Sequence, residues 1–300
     1  MKLDLVSKKV LIIGIESFTG KYLSKFLVQN GFDIYGTSLS NSNNNNIYQC
    51  DISNKSSIKN IIEKIRPNYI INLAGISFVG NANRELFYKI NVLAVENILD
   101  SCIEITDYKP TKIILASSAT IYGNQNSDIL DESMCPNPVN HYGISKLAME
   151  QLAKTYFDKL DIIITRPFNY TGVGQEEHFL IPKIVSHFKK NKREVELGNI
   201  DVYREFNDVA YVCAIYHRLL ISDIKSEIVN ICSNRVIALN DVIKMMNRIA
   251  GYQIHVIVNP NFVRENEIVS LSGSVDKLYS LIGEVKQIEF NRTLEKMYKD

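Results

Sequence analysis

The sequence predicts a doubly wound α/β fold of Rossmann type, a parallel sheet joined to a smaller C-terminal lobe. Three observations predict it. Short apolar runs alternate with longer helical patterns through the first half of the chain, the first run leads straight into a Gly-containing turn and a helix, and the alternation loosens after Arg166. Strands that are apolar throughout are covered on both faces, which is the condition of a parallel sheet under crossover helices. Right-handed crossovers then wind such a sheet to both sides of its first strand.

Residues 10–13 read as a buried strand. Residues 18–29 follow as a helix, with Tyr22, Leu23, Phe26 and Leu27 at helical spacing. A strand over 33–37, a polar Asn/Ser loop over 40–46 and a short strand over 47–50 come next. A helix over 56–65, a strand over 69–74, a helix over 87–102 and a strand over 112–116 continue the alternation. A long amphipathic helix over 142–157 and a strand over 161–165 close it. Beyond that, 169–175 is a Gly-rich loop, 182–190 a basic-ended helix, 208–220 a helix and 228–231 a returning strand. Helices over 239–250 and 276–282 complete the reading. Residues 1–167, with about 205–234 packing back, form the sheet domain; 168–204 and 235–300 form the smaller lobe.

Charge excludes some functions. The 300 residues carry 34 basic and 33 acidic side chains, a formal net charge of +1. That balance gives no electrostatic reason to expect nucleic acid or an anionic membrane as partner. The five cysteines, at 50, 102, 135, 213 and 232, form no CxxC pair. They read as reduced thiols of a cytoplasmic protein, with no disulfide framework and no metal site. The apolar run at 10–13 ends at Gly14 and Glu16, too short for a signal-peptide core or a membrane span.

Two motifs carry chemistry. The first strand runs into Gly14-Ile-Glu-Ser17-Phe18-Thr19-Gly20. Glycine is needed where backbone approaches a pyrophosphate and where a helix packs closely on a strand. The helix start adds N–H groups and a partial positive charge for phosphates. Ser17 stands at the middle position, tolerable if its φ is negative. The second strand leads into Ser38, and neither the carboxylate that favours NAD nor the arginine that favours NADP follows it. The missing carboxylate removes a repulsion against a 2′-phosphate, which tilts the expectation toward NADPH over NADH.

The second motif is Tyr142-Gly-Ile-Ser-Lys146. Four residues is one helical turn, so both side chains share a face. An ammonium ~5 Å from the phenol would favour phenolate by roughly 3 kcal/mol at an effective dielectric of ~20, lowering the tyrosine pKa from ~10 by about two. The same spacing at Tyr108 and Lys112 contains Pro110 and feeds a strand, so that pair cannot share a helical face. The strand over 112–116 ends in Ser117-Ser118-Ala119-Thr120, at the carboxyl edge where such sheets place chemistry. Ser118 is the chosen hydroxyl for the reacting oxygen, with Thr120 second.

Taken in order along nearly the whole chain, these residues resemble the extended short-chain dehydrogenases/reductases that act on nucleotide sugars. Gly14 and Gly20, Asp51-Ile52, Asn72-Leu73-Ala74-Gly75, Asn91, Ser118, Tyr142 with Lys146, Arg166-Pro-Phe-Asn169 and Arg204-Glu-Phe-Asn-Asp208 carry the likeness. It is nearest to GDP-4-keto-6-deoxy-mannose reductases. The resemblance implies catalysis by Ser118, Tyr142 and Lys146. It implies cofactor contacts from Gly14, Ser17, Phe18, Thr19, Gly20, Ser38, Asp51, Ile52, Leu73, Ala74, Gly75, Asn91, Ser117, Tyr142, Lys146 and Arg166. It implies substrate contacts from Ser77, Thr120, Asn169, Arg204 and Arg264, since an arginine fork suits a diphosphate. The 4,6-dehydratases of the group carry an acidic pair where Ala119 and Thr120 stand, and the fucose-synthase type carries a cysteine where Ala119 stands, with His178 leaving that comparison open. What the residues favour is reduction of a 4-keto sugar; a 4-epimerase with tightly bound NAD, a reductase of non-sugar carbonyls and a non-catalytic dinucleotide sensor stay open beside it. The family also implies a homodimer through helices near 85–103 and 142–158.

Overall fold

The computed structural model describes residues 8–77, 83–125, 127–263 and 270–300. The strands are β1 (Lys9–Ile13), β2 (Asp33–Ser38), β3 (Ile47–Gln49), β4 (Tyr69–Asn72), β5 (Lys112–Ala116), β6 (Ile162–Pro167), β7 (Tyr170–Thr171), β8 (Glu194–Leu197), β9 (Tyr203–Glu205), β10 (Asn207–Asp208), β11 (Glu227–Ile231), β12 (Val236–Ala238), β13 (His255–Val258) and β14 (Ser270–Leu271). The helices are α1 (Phe18–Gln29), α2 (Lys55–Ile65), α3 (Arg84–Tyr88), α4 (Ala94–Glu104), α5 (His141–Lys154), α6 (Leu180–Lys189), α7 (Val209–Ile221), α8 (Leu239–Ala250), α9 (Asp276–Ile282) and α10 (Phe290–Lys299).

Seven strands form one sheet in the order β11-β6-β5-β4-β1-β2-β3. The pairings β2·β3, β1·β2, β1·β4, β4·β5 and β5·β6 are all parallel. Chain order reverses between β1 and β4, the switch point at which open sheets of this kind leave a crevice. The expected Rossmann-type architecture is therefore present. The β1 residues Val10–Ile13 and the β4 residues Tyr69–Asn72 are buried, as strands covered on both faces require.

The chain divides into two compact units, one of Met1–Ile121, Pro138–Arg166 and Cys213–Val229, the other of Tyr122–Asn137, Pro167–Val212 and Asn230–Asp300. This differs from the division read from sequence in three stretches and at Pro167. Residues 122–137, 205–212 and 230–234 cluster with the second unit. Leu130 shows why for the first: its N–H donates to the Ser272 carbonyl at 2.8 Å, and the Ser274 N–H returns to the Leu130 carbonyl at 2.9 Å.

In the first unit the core gathers Leu11 and Ile13 of β1, Ile58 and Ile62 of α2, Ile98 and Leu99 of α4, and Ile162 and Ile164 of β6. Lys112 is buried at the start of β5, and its ammonium donates to the carbonyls of Leu219 and Ser222 at the end of α7. A cation there meets the negative end of the helix and satisfies orphan carbonyls. The second unit has its own core, from α6, α8 and α10, including Ile184, Phe188, Val242, Met246, Leu294 and Met297. Among the described residues no helix is long and apolar enough to cross a membrane.

His217 of α7 lies edge-on to Phe26 and Phe32, with ring centroids 5.8 and 5.9 Å away. Burial, helped by Arg218, holds its pKa below the ordinary value. The folded state therefore favours neutral imidazole. The stabilisation is present above the unfolded value of about 6.5 and is lost as pH falls below it. Wild-type protein should lose melting temperature between about pH 7 and pH 5 more steeply than His217→Gln, measured by calorimetry. Parallel slopes would refute this role.

Candidate active site

The turn after β1 has the geometry of a phosphate loop. Gly14 has φ +82°, a left-handed conformation, and a Cβ there would sit 2.9 Å from the Ala74 nitrogen. A Cβ on Gly20 would lie 2.5 Å from the carbonyl oxygens of Gly14 and Ile15. Ser17 has φ −64°, so the serine is accommodated, and its hydroxyl accepts the Gly20 N–H at 3.1 Å, capping α1. Phe18 and Thr19 form the first turn of α1, directly after the Gly14 turn that leaves β1, so the residues present fit a dinucleotide pyrophosphate. Gly20→Val should destabilise the fold by about 1–3 kcal/mol and abolish dinucleotide binding, read by thermal shift with and without NADPH. A variant that keeps wild-type stability and affinity would contradict the packing described.

The remaining expected cofactor residues follow the strand ends. Ser38 ends β2, and its hydroxyl accepts the Ser40 N–H at 3.2 Å. Asp51 is exposed beyond β3; its carboxylate accepts the Ser53 N–H at 2.9 Å, and hydrogen bonds from Ser53 hold its pKa below the usual range. Ile52 beside it is buried. Leu73 donates its N–H to the Ile13 carbonyl, and the Asn72 side chain accepts the Ala74 N–H at 3.2 Å. Gly75 leaves room in front of the catalytic helix: a Cβ there would meet Asn91 Oδ1 at 2.9 Å and Lys146 Nζ at 3.3 Å.

Three of the expected cofactor residues make buried hydrogen bonds within the protein. Asn91 is fully buried in a π-helical turn, Lys89–Leu93, between α3 and α4. Its Oδ1 accepts the Ile76 N–H at 2.9 Å, and its Nδ2 donates to the Ile76 carbonyl and to Ser145 Oγ. It holds the strand-end loop against α5. Arg166 is also buried, and its guanidinium forks onto Glu150, Nε at 3.0 Å and Nη2 at 2.7 Å. Ser117 likewise turns its hydroxyl to Glu150, at 2.5 Å. These side chains shape the site from behind.

The three residues expected to be catalytic stand at the end of β5 and the start of α5. Tyr142 and Lys146 lie in the first two turns of α5, which Asn140 caps by accepting the Gly143 N–H at 2.9 Å. The Ser118 hydroxyl acts on the Tyr142 phenol, favouring its ionised form. It also accepts from Thr120 Oγ1 at 2.9 Å and from the Thr120 N–H at 3.2 Å. The Tyr142 ring lies 6.3 Å from that of Phe87, centroid to centroid. Ala119 is buried and Thr120 is half-buried, so no acid or base follows Ser118.

The electrostatics correct one expectation. Burial pushes the Tyr142 phenol above its ordinary value, against a smaller opposing effect of the Ser118 hydrogen bond. The expected two-unit lowering by Lys146 is absent, because the ammonium points to the Ala116 carbonyl, 2.7 Å away. Burial lowers Lys146 to about 8, opposed by Glu150. Tyr142 is thus a neutral phenol at neutral pH, able to give a proton.

In the second unit Asn169 is exposed after β6, and its carbonyl accepts the Asn207 N–H at 2.9 Å. Arg204 is half-buried on β9, with Nη1 2.8 Å from the Tyr203 carbonyl. Ser77 is exposed in the first unit, and Arg264 lies outside the described residues. Glu150 is the residue that sequence reading missed. Its signal was the period of four from Tyr142 through Lys146, a carboxylate continuing the same helical face.

The profile of the GDP-mannose 4,6 dehydratase family matches residues 11–297. The chain belongs to this family, within the extended short-chain dehydrogenases/reductases. Membership and the Ser118–Tyr142–Lys146 geometry make it an NAD(P)-dependent oxidoreductase. The chain is 34% identical over 294 residues to the GDP-6-deoxy-D-talose 4-dehydrogenase of Aggregatibacter actinomycetemcomitans, covering 97% of each. It is 26% identical to the GDP-6-deoxy-D-mannose reductase of Pseudomonas aeruginosa, covering 98% of this chain and 97% of that one. A crystal structure from Burkholderia cenocepacia J2315, provisionally described as an epimerase, superimposes with a TM-score of 0.91 at 38% identity, covering 98% of this chain and 97% of that one.

Proposed function

We propose that this family member reduces the C4 keto group of a GDP-linked 4-keto-6-deoxy sugar with NAD(P)H, or runs the same step in reverse. The observation that carries the reading is a half-buried, neutral phenol on the same helix as Lys146 and influenced by the Ser118 hydroxyl, with Ala119 and Thr120 in place of an acid and base. Such a site can move one proton at one oxygen and lacks the groups for dehydration. A relative that is a GDP-6-deoxy-D-talose 4-dehydrogenase and another that is a GDP-6-deoxy-D-mannose reductase support the sugar and the carbon.

When bound, the nicotinamide supplies the hydride to C4. The Ser118 hydroxyl polarises the carbonyl oxygen, and Tyr142 gives its proton to the alkoxide that develops there. Lys146, charged at neutral pH, compensates the phenolate left behind and reaches the ribose of the cofactor. Ser77 and Thr120 meet the sugar; Asn169, Arg204 and Arg264 hold the nucleotide diphosphate. NADPH is preferred over NADH because no carboxylate follows β2 to repel a 2′-phosphate.

The test is to mix the protein with GDP-4-keto-6-deoxymannose and each reduced cofactor, following absorbance and product. One NADPH consumed per sugar is expected. A second reading, a 4-epimerase with tightly held NAD, is favoured by the Burkholderia relative. Interconversion of C4 epimers with no added reductant would establish it and overturn the first.

A further inference from the structure

Behind the catalytic face of α5 stands a charge that the proposed reaction does not use directly. Glu150 is one turn beyond Lys146, as Lys146 is one turn beyond Tyr142. Its side chain is completely buried. A buried carboxylate is costly unless it is paired and hydrogen-bonded. Here the pairing is complete on two strands. Oε1 accepts from Ser117 Oγ at 2.5 Å, at the end of β5, and from Arg166 Nε at 3.0 Å, on β6. Oε2 accepts from Arg166 Nη2 at 2.7 Å. The Ser117 N–H in turn donates to the Thr165 carbonyl at 2.7 Å.

This array ends where Lys146 begins. The carbonyl that receives the ammonium belongs to Ala116, the neighbour of Ser117. Fixing Ser117 therefore fixes the acceptor of Lys146. The carboxylate is also the charged group whose field opposes the desolvation of that ammonium. Around Lys146 the other groups are the Tyr142 phenol on α5, the hydroxyls of Ser117 and Ser118 after β5, Arg166 on β6, and the amide of Asn91 across from Gly75. None of these is a second anion at neutral pH.

We propose that Glu150 is a positioning residue for Lys146: tied to Ser117 and Arg166, it sets the carbonyl that receives the ammonium and supplies the counter-charge that keeps it protonated. The inference deepens the reductase reading, since it rests on Lys146 as the partner of Tyr142. A neutral lysine would neither compensate the phenolate nor donate fully to a ribose. Without the carboxylate, Lys146 faces burial and the Arg166 charge without its Glu150 counter-charge, and both act in the same direction, toward the neutral amine.

Lysine side-chain NMR across pH, with the Lys146 signal assigned by its loss in Lys146→Met, tests this without any sugar. In Glu150→Gln the titration midpoint of Lys146 should fall by about 1 pH unit or more, a roughly tenfold larger neutral-to-charged ratio at a given pH. Glu150→Asp should stay nearer wild type. Because Glu150→Gln also removes the ion pair of Arg166, the double variant Glu150→Gln/Arg166→Gln provides a second background without that cation, and its midpoint should fall too. An unchanged midpoint in either folded variant would overturn the proposal. If GDP-4-keto-6-deoxymannose is a substrate, the alkaline limb of kcat should move down with the midpoint. A merely structural role would lower kcat while leaving midpoint and limb in place, and would also overturn it. A shifted midpoint in a protein inactive on that sugar would sink the substrate assignment and leave the role of Glu150 standing.

Discussion

Tyr142→Phe should lower kcat for 4-keto reduction by about 100- to 10,000-fold, the range general acid catalysis supplies, while cofactor affinity stays close to wild type. The substitution removes one oxygen. The ring that packs beside Phe87 remains, and so does the Asn140 cap on α5. Ser118 keeps its bonds from Thr120, so the carbonyl can still be polarised. What disappears is the proton donor itself. Steady-state kinetics and NADPH fluorescence titration on the same preparation separate the two effects. Turnover near that of wild type would remove Tyr142 from the mechanism.

Arg166→Met should destabilise the protein by about 3–5 kcal/mol. Its guanidinium is 3% exposed and faces a carboxylate that is 0% exposed, so the substitution strands a buried charge with only Ser117 as partner. The surface pair Arg66–Asp107, at the same 2.7 Å, provides the contrast: both side chains are largely in water, and Arg66→Met should shift stability by well under 1 kcal/mol. Adding Glu150→Met to Arg166→Met should recover much of the loss, because the carboxylate then leaves with its partner. Denaturant unfolding of Arg166→Met, the double variant and Arg66→Met measures this directly. A small loss in Arg166→Met would contradict the stabilising role of the buried pair.

The first unit was largely legible from sequence because its signals are local. Helix α1 and strand β5 lie where periodicity and flanking residues put them, within a residue, as do helices α8 and α9 of the second unit. The π-turn at Lys89–Leu93 was read as continuous helix, since apolar spacing survives one extra residue per turn and Asn91 gives no sign that it turns inward to Ile76 and Ser145. The second unit was harder. Strands β9, β12 and β14 have two or three residues each, too few for a period to show, and their pairing joins residues 203, 236 and 270. Helix α10 was missed although Phe290, Leu294 and Met297 carry helical spacing.

The site divides the same way. Tyr142, Lys146 and Ser118 could be found because spacing and strand ends place them. The roles of Arg166 and Asn91 could not, because sequence order does not say that Glu150 and Ser145 fill the space into which those side chains turn. Nor could the state of Tyr142: spacing puts an ammonium one turn away, but the Ala116 carbonyl takes it.

Transfer of a single deuteride provides the most direct test of the catalytic assignment. NADPH deuterated at the transferring position of the nicotinamide should leave one deuterium at C4 of the GDP-sugar product, read by mass spectrometry and NMR, and Tyr142→Phe should suppress that incorporation. Product formed without deuterium, or deuterium incorporated equally well by Tyr142→Phe, would contradict reduction by the Ser118–Tyr142–Lys146 site.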